Sequence, residues 1–531
     1  MSVRGDREAR DREAGPAPAA AGPAANPGRP AGRWRAWAAP FAALLTVLIA
    51  RNRFLFTQPF YEQGDAGANS IRIQQAMHFT LLVGNYSREG FSHPGPAYMY
   101  AQAFGQWLFD DWLHVVPTAW NAHLLAVFVL NSAILALAVA VVYGWAGTVR
   151  AAAACFAVIC VFGAMHPPAI NSDWMPYLYV VMYCVCGVAA ASVAAGHLRD
   201  AWIAALTGWF LIHGHACFLF IVPVLAAVVL AALAWTHRRD PGAALRRLAR
   251  DRAAWVPVLA ISAVFVLPIV VNLILHWPGD FGRYLAYGRS GRAGGHSAGQ
   301  ITGYVLWFWW PHGTAWLAPA AAVLLLAAAA AVTAGLCRAP LRRFLAMLLV
   351  IDVVSSLAAG VYAAAGIDFL NQYYIEYFYW SAPLLALLVI AAGVSQALPA
   401  RIAAPLAAAG AAAALAAFAL VPGMRTSAHD TDAGIPRTVA AVAARAPGRV
   451  IVISLQHPAW VDVTGFLVQA ERTHVRACVN SPYWTFMMTQ QFTCTKGQAA
   501  TGVRYIFYSP AAPARTPVVT AFGQSDVVAG P

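Results

Sequence analysis

Long runs of Ala, Leu and Val alternate with short polar stretches along most of this chain. A helix needs about 20 apolar residues to cross a hydrocarbon core of about 30 Å. Runs near that scale cover residues 34–50, 119–146, 152–165, 175–195, 201–214, 217–236, 253–276, 316–336, 344–365, 374–397 and 402–422. They predict about eleven membrane spans. Two weaker amphipathic pieces, around 68–82 and 97–109, read as helices lying at the interface. The second is short and ends in Asp110-Asp111, which fits a surface helix. Beyond the last run the pattern changes. Residues 449–455, 475–479 and 503–508 look like strands, and 463–473 has helical periodicity. The expected fold is an α-helical polytopic membrane protein with interfacial helices in its first outer loop and a small C-terminal extracytoplasmic α/β domain. The domain boundaries are 1–33, 34–423 and 424–531.

Composition agrees with that class. The 531 residues are 60% hydrophobic and 11% charged, against roughly 25% charged in a soluble domain. The net charge of +13 does not point to nucleic acid, because its placement matters more than its sum. The first 33 residues mix Pro, Ala, Gly and Arg and read as a disordered cytoplasmic tail with no evident cleavable signal. Loops carrying Arg150, Arg199, Arg238 to Arg252, Arg338 to Arg343 and Arg401 fall on one side, together with the arginine-bearing N-terminal tail. The excess of basic residues makes that side cytoplasmic. The loops around Asp65 and Asp173, the 277–315 loop and the C-terminal domain then lie outside. Arg51 and Arg53 go against this rule.

Candidate chemistry concentrates on the outer face. Gly64-Asp65-Ala66-Gly67 follows the first span, and its small residues leave the carboxylate open to close approach. Asp65 is a candidate general base or a helix N-cap. Asp173, in Asn171-Ser172-Asp173-Trp174, is a second acid or a second cap, and Glu62 is a weaker candidate. His93 precedes Pro94-Gly95-Pro96 and is placed to bond a phosphate or an acceptor hydroxyl. His213 and His215 lie near the same face, but His-x-His with no adjacent carboxylate is weak for a metal, and none is expected. Arg72, Arg88, Arg283, Arg289 and Arg292 are outer-face cations for an anionic lipid head group. Trp307, Phe308, Trp309, Trp310 and Trp316 read as an interfacial belt or the mouth of a lipid groove. Asp352 and Glu376 are the main intramembrane acids. Asp430-Thr431-Asp432 reads as a turn. There is no phosphate loop and no dinucleotide fingerprint. Cys478 and Cys494 are the only cysteines of the outer domain. They are expected to pair, two free thiols in a small core being the other reading.

Gly64-Asp65, then Tyr86-Ser87-Arg88, then His93-Pro94-Gly95-Pro96, with a second acid in the next outer loop and a C-terminal outer domain, resemble the GT-C superfamily of membrane glycosyltransferases. Protein O-mannosyltransferases and the lipid A aminoarabinose transferase belong to it. The resemblance implies a bacterial inner-membrane enzyme that transfers a sugar from a polyprenyl-phosphate donor to a glycan, lipid or protein acceptor at the outer face. Asp65 matches the first-loop acid and Asp173 the second. His93, Arg88, Tyr86, Arg289, Arg283 and His213 are then expected to bind donor or acceptor, with no cofactor. Many relatives carry an acidic pair in the first loop, whereas here Asp65 is followed by Ala66. A transporter or flippase of lipid-linked sugars, and an O-antigen ligase or polymerase, are the alternatives.

Overall fold

The computed structural model describes residues 30–290, 294–310, 316–508, 518–523 and 525–530. Each apolar run forms a helix: Pro30–Arg51, Ala119–Ala146, Val149–Met165, Met175–Ala194, Ala201–Gly214, Phe218–His237, Arg252–His276, Leu317–Gly335, Leu341–Gly366, Ser381–Ala397 and Ala400–Leu420. Among the described residues, eight helices are long and apolar enough to cross a membrane. The architecture is that of a multi-pass helical membrane protein. Three of the eleven helices fall outside that set. Val149–Met165 and Ala201–Gly214 are short, with 17 and 14 residues, and Pro30–Arg51 carries arginines near its start. The tail expected to be disordered lies almost wholly outside the described residues.

Burial orders the bundle. The Met175–Ala194 helix is apolar all round and 94% of its apolar window is buried, whereas none of the Arg252–His276 window is. A helix without a polar face belongs either in a core or against lipid, and these two take the two solutions. The Ala97–Gly105 helix packs on Ala119–Ala146, where a Cβ at Gly105 would fall 2.3 Å from the Ala126 Cβ. It runs into a π-helical turn over Gln106–Trp112. Phe104, Trp107 and Trp112 remain exposed along it, as expected of an interfacial element.

The C-terminal part forms a five-stranded sheet in the order β2-β1-β3-β5-β4. The strands are β1 (Ile451–Leu455), β2 (Ala477–Val479), β3 (Val503–Tyr508), β4 (Val518–Phe522) and β5 (Ser525–Ala529). β1 runs parallel to β2 and β3, and β5 is antiparallel to both β3 and β4. The parallel β1–β2 pair needs a crossover, which the Trp460–Arg472 helix supplies. That helix and Ile435–Arg445 cover the sheet with Val463, Phe466, Leu467, Val439 and Val442. A disulfide joins Cys478 to Cys494.

The helix expected to lie on the surface near 68–82 is instead Gly64–Met77, and it is sandwiched. Ile73 and Ala76 join the core of the bundle, while Ala68 and Ile71 join the core of the C-terminal domain. The Trp460–Arg472 helix lies against it at close range. A Cβ at Gly67 would fall 2.9 Å from the Thr464 Oγ1, and one at Gly465 would fall 2.7 Å from the Glu62 carbonyl oxygen. The Thr464 hydroxyl donates to the Gly64 carbonyl at 3.1 Å. Arg472 clamps the buried Glu62 carboxylate with two hydrogen bonds of 2.7 and 3.1 Å. Burial pushes the Glu62 carboxyl up, but the Arg472 charge and its hydrogen bonds outweigh it and bring the pKa down to about 2.

Removing one partner of a buried ion pair typically costs about 3–5 kcal/mol. Arg472→Leu should therefore loosen the C-terminal domain, with limited proteolysis cutting near residue 430 faster than in the wild type. The Glu62→Gln/Arg472→Met double variant should regain much of the lost protection. Equal protease resistance of Arg472→Leu and wild type would show that the pair does not hold the domains together.

Candidate functional site

Gly64 opens its helix with φ at +57°, a conformation that favours glycine. The N-cap position is Gln63, not Asp65. The Asp65 carboxylate in the first turn is instead held by two side chains from elsewhere. The Tyr86 hydroxyl donates to Oδ1, and the Trp174 indole N–H donates to Oδ2 at 2.8 Å. Each oxygen keeps capacity for a further hydrogen bond. Burial, reinforced by Asp65, raises the Tyr86 phenol well above its usual range, so it acts as a donor.

Tyr86 is presented by a tight loop. Gly84 and His93 pair through their backbones at 2.8 Å, Tyr86 bridges Ser92, and Gly90 turns the chain with φ at +79°. Arg72 ties this loop down. Its Nε donates to the Gly84 carbonyl at 3.0 Å, and its Nη2 reaches Ser92 Oγ at 3.2 Å and the Phe486 carbonyl at 2.9 Å. Arg72 is thus a buried strut between this loop and the C-terminal domain, not an open cation.

Asp65 lines a cavity of about 810 Å³. The Gly64–Met77 helix contributes Asn69, and the segments that follow it and precede Met175–Ala194 contribute Asn85, Tyr86, Arg88, Glu89, His93 and Trp174 to its wall. The bundle side contributes Tyr179, His215, Phe220, Val361 and Tyr362, and the C-terminal domain His457, Trp460, Tyr483, Trp484 and Phe486. Arg88 is the only arginine or lysine among the described lining residues. Its guanidinium pairs with Asp368 and lies 3.4 Å from Glu89 Oε1. His93 and His215 lie side by side with ring centroids 4.3 Å apart and planes tilted by 34°.

Asp65 and Trp174 also line a second cavity of about 370 Å³, with Asp173, Asp430, His429, Asn171 and Arg425. Asp173 accepts from the Trp120 indole at 2.9 Å. Burial, with the negative Asp430 and Glu62 adding to it, pushes the Asp173 carboxyl up to about 6. Asp430 is delivered by backbone pairing between 61–63 and 430–432: Gln63 N–H reaches the Asp430 carbonyl, and Asp432 N–H the Tyr61 carbonyl, both at 2.9 Å. The segment expected to be a mere turn thus brings a third acid to the site.

Several expected site residues lie elsewhere. The His213 ring is packed beneath Gly95, where a Cβ would fall 2.4 Å from its Nδ1, and its Nε2–H donates to the Phe265 carbonyl at 2.9 Å. It does not line the cavity. Arg283 bonds the Gly90 carbonyl at 2.9 Å and Asp280 at 3.2 Å, outside the cavity wall. Arg289 is exposed at the end of its helix, and Arg292 lies outside the described residues. Trp307 stacks on Tyr373 at 4.0 Å, while Phe308 and Trp309 are buried. None of the five residues 307–310 and 316 lines the cavity. Asn69 and Trp174 were the readable omissions. Asn69 stands one helical turn after Asp65 on the same face, and Trp174 adjoins Asp173.

The raised Asp173 value has a testable consequence. The folded state binds this proton more tightly than the unfolded chain, whose carboxyl keeps the ordinary value of 3.8. Wild-type stability should therefore fall as pH rises from 3.8 through about 6, relative to a group that does not titrate. Asp173→Asn removes that penalty, so the melting-temperature difference between variant and wild type should shift in the variant's favour across this window. A constant difference would contradict the assignment. Compared with known proteins, the sequence matches no family model and no curated protein.

Proposed function

We propose that this chain is an integral-membrane glycosyltransferase that moves a sugar from a polyprenyl-phosphate donor to an envelope acceptor at the outer face. The observation that carries this reading is the Asp65 carboxylate, held by Tyr86 and Trp174 in the wall of a cavity between the bundle and the C-terminal domain. A positioned carboxylate with spare lone pairs can take a proton from an acceptor hydroxyl. The hydroxyl oxygen then bonds to the anomeric carbon as the bond from that carbon to the phosphate oxygen breaks. The phosphate leaves with the electron pair, and the proton stays on Asp65. No divalent metal or other cofactor is invoked in this scheme.

The cavity has the two-sided character that such a donor needs. Its polar part gathers Asp65, Asn69, Asn85, Arg88 and Glu89. Its apolar part includes Phe220 and Val361, which are 41% and 53% exposed on the flank of the bundle. A prenyl chain entering from the bilayer would meet these side chains first, and its buried methylenes would contribute about 0.8 kcal/mol each.

The proposed topology has eleven spans with the N-terminus cytoplasmic and the C-terminal domain outside, in a bacterial inner membrane. Every loop assigned to the outer side sends a residue to the same cavity: Asp65, Trp174, His215, Tyr284, Asp368 and, from the C-terminal domain, His457. The loops assigned to the cytoplasmic side send none. This alternation requires the short Val149–Met165 and Ala201–Gly214 helices to cross, which supports counting them. Arg88 is the donor-phosphate cation this reading favours, and the acceptor is an envelope glycan, lipid or protein.

Asp65→Asn should lower sugar transfer by about 10²–10⁴-fold, the usual contribution of a positioned general base, while donor binding persists. The assay is transfer of a labelled sugar from its polyprenyl-phosphate carrier, with mass spectrometry of envelope glycans to identify the product. Retention of most of the wild-type rate would reject Asp65 as the base. Reporter fusions at Arg250 and Val479 should register opposite sides of the membrane, and the same side for both would reject the topology.

A further inference from the structure

His93 and His215 share an arrangement that fixes where their protons sit. His93 belongs to the turn before the Ala97–Gly105 helix, and His215 to the link between the Ala201–Gly214 and Phe218–His237 helices. Each ring accepts a backbone N–H through Nδ1. The Ala216 N–H reaches His93 Nδ1 at 3.2 Å, and the Cys217 N–H reaches His215 Nδ1 at 3.2 Å. A neutral imidazole has one N–H and one bare nitrogen. With both Nδ1 atoms accepting, both protons reside on Nε2. A proton on either Nδ1 would face an amide hydrogen, so the backbone keeps the rings neutral. Burial works the same way. It holds His93 well below its usual value, helped by His215 and Arg72, and lowers His215 to about 4. Both rings line the cavity, although His93 is only 4% exposed. Neither Nε2–H has a hydrogen-bond acceptor among the described residues.

We propose that His93 and His215 form a neutral clamp whose two Nε2–H groups hold a phosphate oxygen of the lipid-linked donor, an inference that rests on the glycosyltransferase reading above. The chemistry favours a phosphate over a hydroxyl. A phosphate oxygen offers only lone pairs, whereas a hydroxyl also brings a proton that neither Nε2 can accept. Hydrogen bonds to an ionised acceptor are about twice as strong as neutral ones. Asp65, Glu89 and Asp368 outnumber Arg88 in the cavity wall. An added full cation would be drawn to those carboxylates, while a neutral donor is not. Two fixed N–H groups also meet the negative charge that grows on the leaving phosphate without reorganising.

The test compares farnesyl phosphate with farnesol, which has the same chain without the anion, binding to the full-length protein in nanodiscs. Wild type should prefer the phosphate. His93→Phe and His215→Phe should each lose about tenfold or more of that preference, the scale of a hydrogen bond to a charged group. Their farnesol affinity should be unchanged, which also reports an intact fold. His93→Gln and His215→Gln, whose amide N–H reaches the Nε2 position, should keep most of the preference. Phe variants that retain the full preference, or that lose both affinities equally while the Gln variants behave likewise, would overturn the clamp and leave the donor reading standing. A wild type without any preference for the phosphate would overturn both. Inorganic phosphate that displaces farnesyl phosphate at equal concentration would overturn a lipid-linked ligand in favour of a free anion.

Discussion

The structure turns on one helix buried from both sides. Gly64–Met77 carries Asp65 at its start, gives Ile73 and Ala76 to the bundle, and gives Ala68 and Ile71 to the C-terminal domain. A short helix this enclosed has little freedom to tilt or slide. The Glu62–Arg472 pair fixes it from one end, and Arg72 fixes the following loop and, with it, Tyr86. Both ion and strut are costly to bury and costly to break. Their cost is offset by a carboxylate held to one place between two cavities. Elements far apart in sequence must dock correctly before Asp65 has both of its donors.

The electrostatic character of the site follows from that docking. Asp65 is held by a phenol and an indole, both uncharged, and has no salt-bridge partner among the described residues. Asp173 and Asp430 share the smaller cavity with it; burial raises both, with the Asp430 charge adding to the rise of Asp173 and the Asp65 charge to that of Asp430. On the proposed reading, Asp65 works beside two carboxylates that burial raises.

Much of this was legible along the chain, for physical reasons that differ from element to element. The eleven apolar runs became helices because no other structure satisfies so much backbone in an apolar setting. Cys478 and Cys494 could be paired because compartment and position left no competing thiol. Asp65 stood out through its small neighbours. Arg72 and His213 were misread because their partners are carbonyls and a glycine brought together only by the fold. The His213-Gly214-His215 spacing gave no hint that the helix ends at Gly214 and sends the two rings to different places. The Gly64–Met77 helix looked like a surface element because its second partner lies about 400 residues later, where no local periodicity can report it. β4 and β5 were missed because they are two short strands around a single turn at Gly523.

On the proposed reading, the same docking bears on how a lipid-linked donor and an acceptor could reach one carboxylate. The Glu62–Arg472 pair ties the C-terminal domain to the segment that leads into the Gly64–Met77 helix, which on the proposed reading favours lateral access to the cavity. Phe220 and Val361 open the bundle flank, where a lipid chain needs no polar partner. Tyr483, 63% exposed at the rim, marks the side where the C-terminal domain meets water. Its ring, with Trp484 and Phe486 behind it, offers flat apolar faces edged by polar groups, a surface suited to the carbon face of a sugar. On the proposed reading, the bundle would then select the donor by its chain and the C-terminal domain the acceptor by its shape, with Asp65 reached from both directions. Changes at Tyr483 should accordingly alter which acceptors are used without altering which lipid is bound.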